Sequence, residues 1–205
     1  FTLSADGRRL AYTLLTASAN VWSLPQAGAG DVAAEQVTSG QQVIESVAVS
    51  RDGAWLYYDS NLAGNSDIYR MRLPSGKPER LTRDPTNEFS PAPSPDGREV
   101  AFHSFREGTR NVYVLPLDGG SLQPVATSAL QEGIAQWSPD GRAISFSDLQ
   151  LGGGVHIVHR GSDGRWSAAR RLTAGSFGTW SPNGRQLTFI ESIAGGSLRV
   201  IGADG

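Results

Sequence analysis

Large apolar residues alternate with small or polar ones at five places along the chain, always in the same order. An aliphatic residue is followed two positions later by an aromatic one, in the pairs Leu10 and Tyr12, Leu56 and Tyr58, Val100 and Phe102, Ile144 and Phe146, and Leu187 and Phe189. A period of two puts both members of a pair on one face of a β-strand, so the pattern predicts five strands with one face in a core. No stretch keeps an apolar period of 3.6 residues, which predicts a chain with essentially no helix.

Each of these strands follows a four-residue motif that begins with Ser and ends with Asp-Gly or Asn-Gly. The copies occupy residues 4–7, 50–53, 94–97, 138–141 and 181–184, so the steps between Asp6, Asp52, Asp96, Asp140 and Asn183 are 46, 44, 44 and 43 residues. Pro in the motif presets φ, Asp favours the next turn position and Gly accepts a positive φ, so the motif predicts a tight turn. A repeat of about 40–45 residues is the length of one four-stranded propeller blade.

Three more strands complete each predicted blade. A short apolar segment precedes the turn motif, at residues 44–49, 89–93, 134–137 and 177–180. A third strand includes Asp67-Ile68-Tyr69 in one copy, and a brief fourth strand there ends at Leu81-Thr82. Pro91 and Pro93 have no N–H donor, so their strand should lie at an edge of its sheet. The innermost strand of a blade, which borders the central channel, is such an edge.

The repeats therefore predict an all-β fold, a β-propeller of four-stranded antiparallel blades in a single domain. About 4.5 blades are expected: three full blades flanked by two partial ones. The expected boundaries are a partial blade at 1–40, full blades at 41–82, 85–126 and 129–173, and a partial blade at 176–205. Propellers close with roughly 4–8 blades, because closure hides strand edges that would template aggregation. We therefore expect a fragment of a larger ring, or a ring that another part of the same protein completes.

Composition narrows the classes of partner. Charged residues make up 19% of the 205 residues and the formal net charge is −2, so no electrostatic feature suggests nucleic acid or an anionic membrane. No apolar run approaches the roughly 18 residues that a bilayer crossing needs, so we expect no direct membrane insertion. There are no cysteines, which excludes disulfides and thiolate chemistry. No signal peptide is visible, and because the first residue is Phe1 we expect that the chain was excised from something longer.

Three glutamates stand out as candidate binding residues. Glu45, Glu88 and Glu132 each lie five or six residues before the turn serine, where a predicted inner strand starts. Quasi-symmetry would gather them around one mouth of the channel, where they would bind a divalent cation such as Ca²⁺ or attract a basic peptide. Asn87 and Gln131, beside two of them, would add hydrogen bonds at the same level. The alternative is that these are ordinary solvated loop charges.

The fifth repeat offers Gly175 and Ser176 at this level, which argues against a metal site and leaves a peptide-attracting mouth open. Enzyme motifs are mostly absent, since no Gly-x-Ser-x-Gly elbow, Walker loop or dinucleotide fingerprint occurs. His103, His156 and His159 are interpreted as surface or blade-packing residues, since His156 and His159 fall on opposite faces of one strand. We therefore expect no catalytic residue, no dedicated metal site and no other cofactor.

These residues resemble the TolB-like propeller repeat, a relative of the WD-type repeat. Its blade reads approximately Trp-Ser-Pro-Asp-Gly, an aliphatic–small–aromatic strand, Asp-Ile-Tyr, a Gly-rich turn and Leu-Thr. The repeats at 94–125 and 137–173 match closely at the turn and second strand. The repeat before these two, with its turn at 50–53, has Arg51 in place of Pro. Trp137 and Trp180 resemble the family's core tryptophan and are expected to pack.

The resemblance implies the fold and leaves several functions open. The family includes the periplasmic TolB component, propeller domains of prolyl-oligopeptidase-type serine peptidases, and extracytoplasmic tails of bacterial kinases and regulators. The first hypothesis is a non-catalytic scaffold or sensor that binds a protein or peptide. The alternative is an accessory domain that filters substrates for a serine peptidase domain outside this chain. A third is catalysis in the channel by the glutamates with a bound cation. The resemblance implies a periplasmic or other extracytoplasmic location.

Overall fold

A computed structural model describes residues 2–3, 10–11, 17–24, 33–126, 130–150, 153–191 and 196–205, with only the backbone at 2–3 and 10–11. These residues form strands and turns, and no helix is present among them, as the sequence predicts. None of them forms a helix of the length and apolar character that a bilayer crossing requires. The strands are β1 (Thr2–Leu3), β2 (Leu10–Ala11), β3 (Trp22–Ser23), β4 (Glu35–Gln36), β5 (Val47–Val49), β6 (Trp55–Ser60), β7 (Asp67–Arg72), β8 (Glu79–Arg80), β9 (Glu88–Pro93), β10 (Glu99–Ser104), β11 (Asn111–Pro116), β12 (Gln123–Ala126), β13 (Glu132–Trp137), β14 (Ala143–Asp148), β15 (Gly154–His159), β16 (Arg170–Ala174), β17 (Ser176–Trp180), β18 (Gln186–Ile190) and β19 (Leu198–Gly202).

The strands form antiparallel sheets in which hydrogen-bonded neighbours are also neighbours in sequence. Three sheets have four strands, β5 to β8, β9 to β12 and β13 to β16, and a fourth has three, β17 to β19. β1 pairs with β2, and β3 pairs with β4. Four-stranded meanders that follow one another along the chain are propeller blades, which confirms the predicted fold class. The first strand of each blade, called the inner strand below, lies at a sheet edge, as Pro91 and Pro93 require in β9.

The repeated turn is held by the same hydrogen bonds in each described copy. In the copy at 94–99 the Ser94 hydroxyl donates to Asp96 Oδ1 at 2.6 Å, which also accepts the Arg98 N–H at 3.1 Å. The Glu99 N–H donates to Ser94 Oγ at 3.0 Å, and Gly97 has the positive φ of 70° that the turn demands. The Ser94 hydroxyl and the Arg98 N–H together hold the pKa of Asp96 below its ordinary value. Equivalent bonds occur at residues 50–55, 138–143 and 181–186.

Exchanging Asp and Asn in two copies of this turn should change stability in opposite directions. A carboxylate accepts hydrogen bonds more strongly than an amide, so Asp140→Asn should cost, and Asn183→Asp should gain, a few tenths of a kcal/mol in these exposed turns. The Ser138 hydroxyl and the Arg142 N–H lower the pKa of Asp140 from its ordinary 3.8. The contribution is therefore present above about pH 4 and is lost as the pH falls through the folded-state pKa.

Denaturant unfolding of both variants at about pH 7 and about pH 3 tests this linkage. Convergence of each variant with the original protein at the acid pH is the expected result. If a variant differed from the original protein in unfolding free energy by the same amount at both pH values, the charge of the turn residue would not contribute to stability.

The second strand of each complete blade is buried on both faces. Phe102, Tyr58 and Phe146 are almost fully buried, but so is Tyr57, which points to the opposite face from Tyr58. The sequence-based expectation of a single core face is therefore corrected: a blade between two neighbours has no solvent face. The buried alternating residues are Leu56, Tyr58, Val100, Phe102, Ile144, Phe146, Leu187 and Phe189. The side chains of Leu10 and Tyr12 lie outside the described residues.

Two tryptophans connect successive blades, as their predicted packing role requires. The Trp137 indole N–H donates to the Ala92 carbonyl at 3.0 Å, from β13 to β9. The Trp180 indole N–H donates to the Gln136 carbonyl at 3.2 Å, from β17 to β13. Because a buried indole N–H needs an acceptor, each tryptophan fixes the distance between two inner strands.

Candidate functional site

The inner strands of three blades line a cavity of about 560 Å³, called the channel cavity below. Its wall consists of β5, β9 and β13 together with turn residues that follow them, and Pro182 contributes from the next turn. Most of the lining side chains are proline, valine, alanine or serine. Such a surface combines apolar contact area with unpaired main-chain groups at the edges of the strands, because each inner strand is hydrogen-bonded on one side only.

Arg51 is the one charged residue among the described residues that line the channel cavity. It occupies the position that Pro95, Pro139 and Pro182 hold in the other turns. Its side chain is exposed, and its Nη1 donates to the Pro139 carbonyl at 3.1 Å, so it reaches from one blade to the blade after next. A guanidinium has five N–H donors, so Arg51 gives one end of the cavity a positive charge and hydrogen-bonding capacity.

The inner strands β9, β13 and β17 each contain a β-bulge that the sequence analysis did not predict. Their pairing with the second strand shifts register, and Ser90, Ile134 and Phe177 have positive φ values of 55°, 55° and 61°. Positive φ is unfavourable for residues with a β-carbon, most of all for β-branched Ile134. These residues stand 44 and 43 positions apart and are therefore equivalent. Ser90 and Ile134 line the channel cavity, so the strained backbone faces the candidate site.

Polar side chains of the preceding blade hold two of these bulges. Asp59 Oδ2 accepts the Ser90 N–H at 3.2 Å, and Ser147 Oγ accepts the Phe177 N–H at 2.8 Å. Asp59 is fully buried, and its Oδ1 also accepts the Glu45 N–H at 2.7 Å. Burial raises the pKa of Asp59 in spite of these bonds. The buried carboxylate therefore serves the main chain of two blades and is closed to a ligand.

The structure places the predicted site residues in different environments. Glu45 is exposed, whereas Glu88 and Glu132 are fully buried. Glu88 forms an ion pair with Arg106, and Glu132 Oε2 accepts the Val112 N–H at 3.1 Å. Two of the three carboxylates are thus not at an open channel mouth, because they are buried and bonded to donors within the protein.

The two neutral candidates also form hydrogen bonds within the protein. Asn87 is exposed and its Oδ1 accepts the Ser66 N–H at 3.0 Å, which joins two blades. Gln131 is half-buried and its main-chain N–H donates to Asp148 Oδ1 at 3.2 Å. Across the described ranges, no group of three or more His, Asp or Glu residues is placed to hold a metal ion. Ca²⁺ binding at the glutamates remains a prediction, which calorimetric titration would decide.

Two of the three histidines are buried against aromatic rings, and one is exposed. His103 is buried beside Phe89, with ring centroids 5.7 Å apart, and burial lowers its pKa to about 3. His156 is buried and stacks on Phe146 at 5.5 Å, and burial lowers its pKa as well. His159 is exposed. Two of the histidines thus pack against aromatic rings, and the third lies at the surface.

A family model described as the TolB beta propeller domain matches residues 2–205. The chain belongs to this family. Among solved structures, a putative TolB from Agrobacterium tumefaciens shares 24% identity with it at a TM-score of 0.74, over 99% of this chain and 76% of that one. TolB from Acinetobacter baumannii shares 24% identity at a TM-score of 0.68, over 82% of this chain and 42% of that one. This TolB-family chain thus spans less than half of the Acinetobacter protein.

A third similar structure is a puromycin hydrolase, with 19% identity and a TM-score of 0.62, over 78% of this chain and 31% of that one. No curated protein matches the chain. These likenesses establish the TolB-type propeller fold, in agreement with the successive four-stranded sheets described above. The sequence patterns that identify the family are the turn motif and the second strand. The channel cavity has no sequence pattern of its own, because β5, β9 and β13 meet only after the blades pack.

Proposed function

We propose that this TolB-family propeller is a non-catalytic module that binds a segment of a partner protein in the channel cavity. The observation that carries the proposal is a preformed cavity of about 560 Å³, walled by three inner strands. Its volume falls within the roughly 300–1,000 Å³ typical of ligand sites. Its lining offers apolar contacts, main-chain groups and one guanidinium, which is a set that binds peptides and has no nucleophile activated by a base.

The rigidity of the wall supports this proposal. The Trp137 indole bond joins β13 to β9, and the carboxylate of Asp59 bonds main-chain groups of two successive blades. A wall fixed in this way loses little conformational freedom when a ligand binds, so more of the contact energy contributes to affinity. A scaffold or a sensor needs such a preformed binding surface. The response to binding would come from another domain of the protein or from its partner.

Narrowing the channel cavity should weaken binding of peptides that enter it. Peptides would be selected from a random library on the intact chain and their affinities measured by calorimetry. Val47→Trp places a bulky side chain on the cavity wall, and we expect it to weaken binding by at least about 10-fold, since it removes space that the ligand needs.

Leu62→Trp is the matched control, because Leu62 is 54% exposed, Val47 is 52% exposed, and Leu62 lies outside the cavity lining. The control should bind the selected peptides as the original protein does. Equal affinity of both variants for every selected peptide would refute binding in the channel cavity.

The second candidate function is an accessory domain of a serine peptidase. It is favoured by the likeness to puromycin hydrolase, of which the matched region is only 31%. The propeller would then limit which substrates reach an α/β-hydrolase domain of the same polypeptide. Sequencing the gene on both sides of this segment tests it: a Gly-x-Ser-x-Gly motif after a predicted strand favours the peptidase, and a full reading frame without one excludes it.

We also propose an extracytoplasmic location, on the strength of membership in the TolB propeller family. Fractionation of cells that carry an epitope-tagged full-length gene product tests the location. Recovery of the tag only in the cytoplasmic fraction would contradict it. Partner classes consistent with the channel cavity are proteins, peptides and further blades of the same polypeptide.

A further inference from the structure

The inner strand β5 differs from the three inner strands that follow it. β9, β13 and β17 have a bulge, and β5 pairs with β6 without any register shift. Ser46, which is equivalent to Ser90 and Ile134, is not among the residues with positive φ. Bulges and prolines are the features by which proteins prevent an edge strand from pairing with another chain. Of these four strands, β5 has neither.

Hydrogen bonds at both ends of β5 show which of its residues direct their main-chain N–H and C=O groups toward β6. The Ser50 N–H donates to the Trp55 carbonyl at 2.8 Å, and the Asp59 N–H donates to the Ser46 carbonyl at 3.3 Å. Ser46 and Ser50 therefore direct main-chain groups toward β6. In an antiparallel pair, hydrogen-bonded and non-hydrogen-bonded positions alternate. Residue 48 then also bonds to β6, and residues 47 and 49 do not.

The N–H groups of Val47 and Val49 consequently point away from β6, at the free edge that borders the channel cavity. Both side chains are about half exposed, at 52% and 53%. The equivalent residues of β9 are Pro91 and Pro93, which have no N–H to offer. The equivalents in the later blades are buried or half-buried, namely Ala135, Trp137, Gly178 and Trp180.

We propose that an extended segment of the partner adds to the free edge of β5 as a further strand, bonded to the main-chain groups of Val47 and Val49. This proposal deepens the proposed function and depends on it. Strand addition gains affinity from main-chain hydrogen bonds and specificity from alternate side chains. The prolines of β9 face the added strand as an apolar wall that offers no competing donors.

Arg51 sets the chemistry of the partner's segment. It lies two residues after the end of β5 and is the charged residue of the described cavity lining. One hydrogen bond to Pro139 leaves most of its donors for a ligand, so an acidic side chain or a terminal carboxylate at the end of the added strand would pair with it. The segment therefore combines small apolar residues with one carboxylate. A second folded copy of this chain does not fit a cavity of about 560 Å³, whereas one extended strand does.

The decisive variant is the double substitution Val47→Pro and Val49→Pro, which removes both N–H donors. We expect the fold to accept proline here, because Pro91 and Pro93 occupy the equivalent positions of the next blade. The reference is Val47→Thr with Val49→Thr, which keeps the N–H groups and a branched side chain. Channel-binding peptides selected on the intact chain should bind the proline pair at least about 10-fold more weakly than the threonine pair, as expected for two lost hydrogen bonds.

Amide hydrogen exchange followed by NMR gives a second measurement. In the free protein the amides of Val47 and Val49 should exchange rapidly, and the amide of Ala48 slowly, because Ala48 is the one of these three residues whose N–H points toward β6. A bound peptide should slow Val47 and Val49 by at least about 10-fold. Arg51→Gln should weaken binding of the acidic peptides and reduce its dependence on salt.

The outcomes separate the two proposals. If Val47→Trp weakens peptide binding as predicted while the proline and threonine pairs bind equally, the strand addition is wrong and the channel site stands. If Val47→Trp leaves every peptide bound, the channel site itself is wrong. A concentration-dependent dimer in sedimentation, lost in the proline pair, would show that β5 pairs with a second copy and would overturn the partner assigned here.

Discussion

Replacing Phe102 by alanine should destabilise the protein by about 3–5 kcal/mol, the usual cost of truncating a fully buried aromatic residue. Phe102 is fully buried between two blades, where it packs with Tyr57 and Ile68 of one and Val100 and Tyr113 of the other. The cavity left behind cannot collapse easily, because both walls are hydrogen-bonded sheets. Urea unfolding followed by far-ultraviolet circular dichroism measures the loss.

Phe177→Ala is the control for this prediction, since Phe177 is 39% exposed. It should change the unfolding free energy by less than about 1 kcal/mol, as surface substitutions usually do. A similar loss in both variants would mean that Phe102 does not lie in a tightly packed interface, and the stacked arrangement of the blades would need revision.

Replacing Arg106 by methionine should cost about 3 kcal/mol near neutral pH, at the low end for a broken buried ion pair because Arg106 is partly exposed. The Arg106 guanidinium pairs with Glu88, whose side chain is fully buried, and lies 3.7 Å from Asp84. Methionine keeps the apolar stem but removes the guanidinium that pairs with Glu88. The same residue covers the Tyr113 ring at 4.8 Å, so some loss of contact adds to the effect.

The pH dependence identifies the charge as the cause. Burial raises the pKa of Glu88 above its ordinary 4.5, with Thr82 and Arg106 acting against it. A carboxyl with a raised folded-state pKa favours folding at low pH and loses this contribution as the pH rises through that pKa. Without Arg106 the pKa of Glu88 is raised further. The unfolding free energy of the variant should therefore approach that of the original protein below about pH 4.5 and be lower than it above that pH.

Arg70→Met is the matched control, because Arg70 pairs with Glu79, whose side chain is 53% exposed. An exposed pair contributes about 0–1 kcal/mol, and this control should show little dependence on pH. Equal losses for Arg70→Met and Arg106→Met at every pH would contradict the role given to the buried carboxylate of Glu88.

Local sequence predicts what each blade does within itself. The turn motif predicts a tight turn because Ser, Asp and Gly act on their immediate neighbours, and Gly97 has the positive φ expected of it. The apolar period predicts the second strand, and the prolines of β9 predict an edge strand. These features depend on residues within about six positions of one another, where the chemistry of the side chain and the backbone geometry decide the conformation.

Contacts between separate strands and between blades could not be predicted in the same way. Glu88 and Glu132 look like exposed loop residues in the sequence, and their burial depends on donors that other segments supply. The positive φ of Ile134 contradicts its local preference and persists because the surrounding sheets impose it. The regular pairing of β5 becomes informative only when it is compared with the bulged strands that follow.

The tryptophan bonds that join successive inner strands also determine how the molecule would come apart under force. Each indole ties its own blade to the one before it, through Trp180 to Gln136 and through Trp137 to Ala92. A load applied at Gly205 meets these links one after another, and the three-stranded sheet β17 to β19 is the first to bear it. Extension should therefore proceed in steps, with a shorter first step and about 44 residues released by each four-stranded blade, as in other arrays with nearest-neighbour coupling.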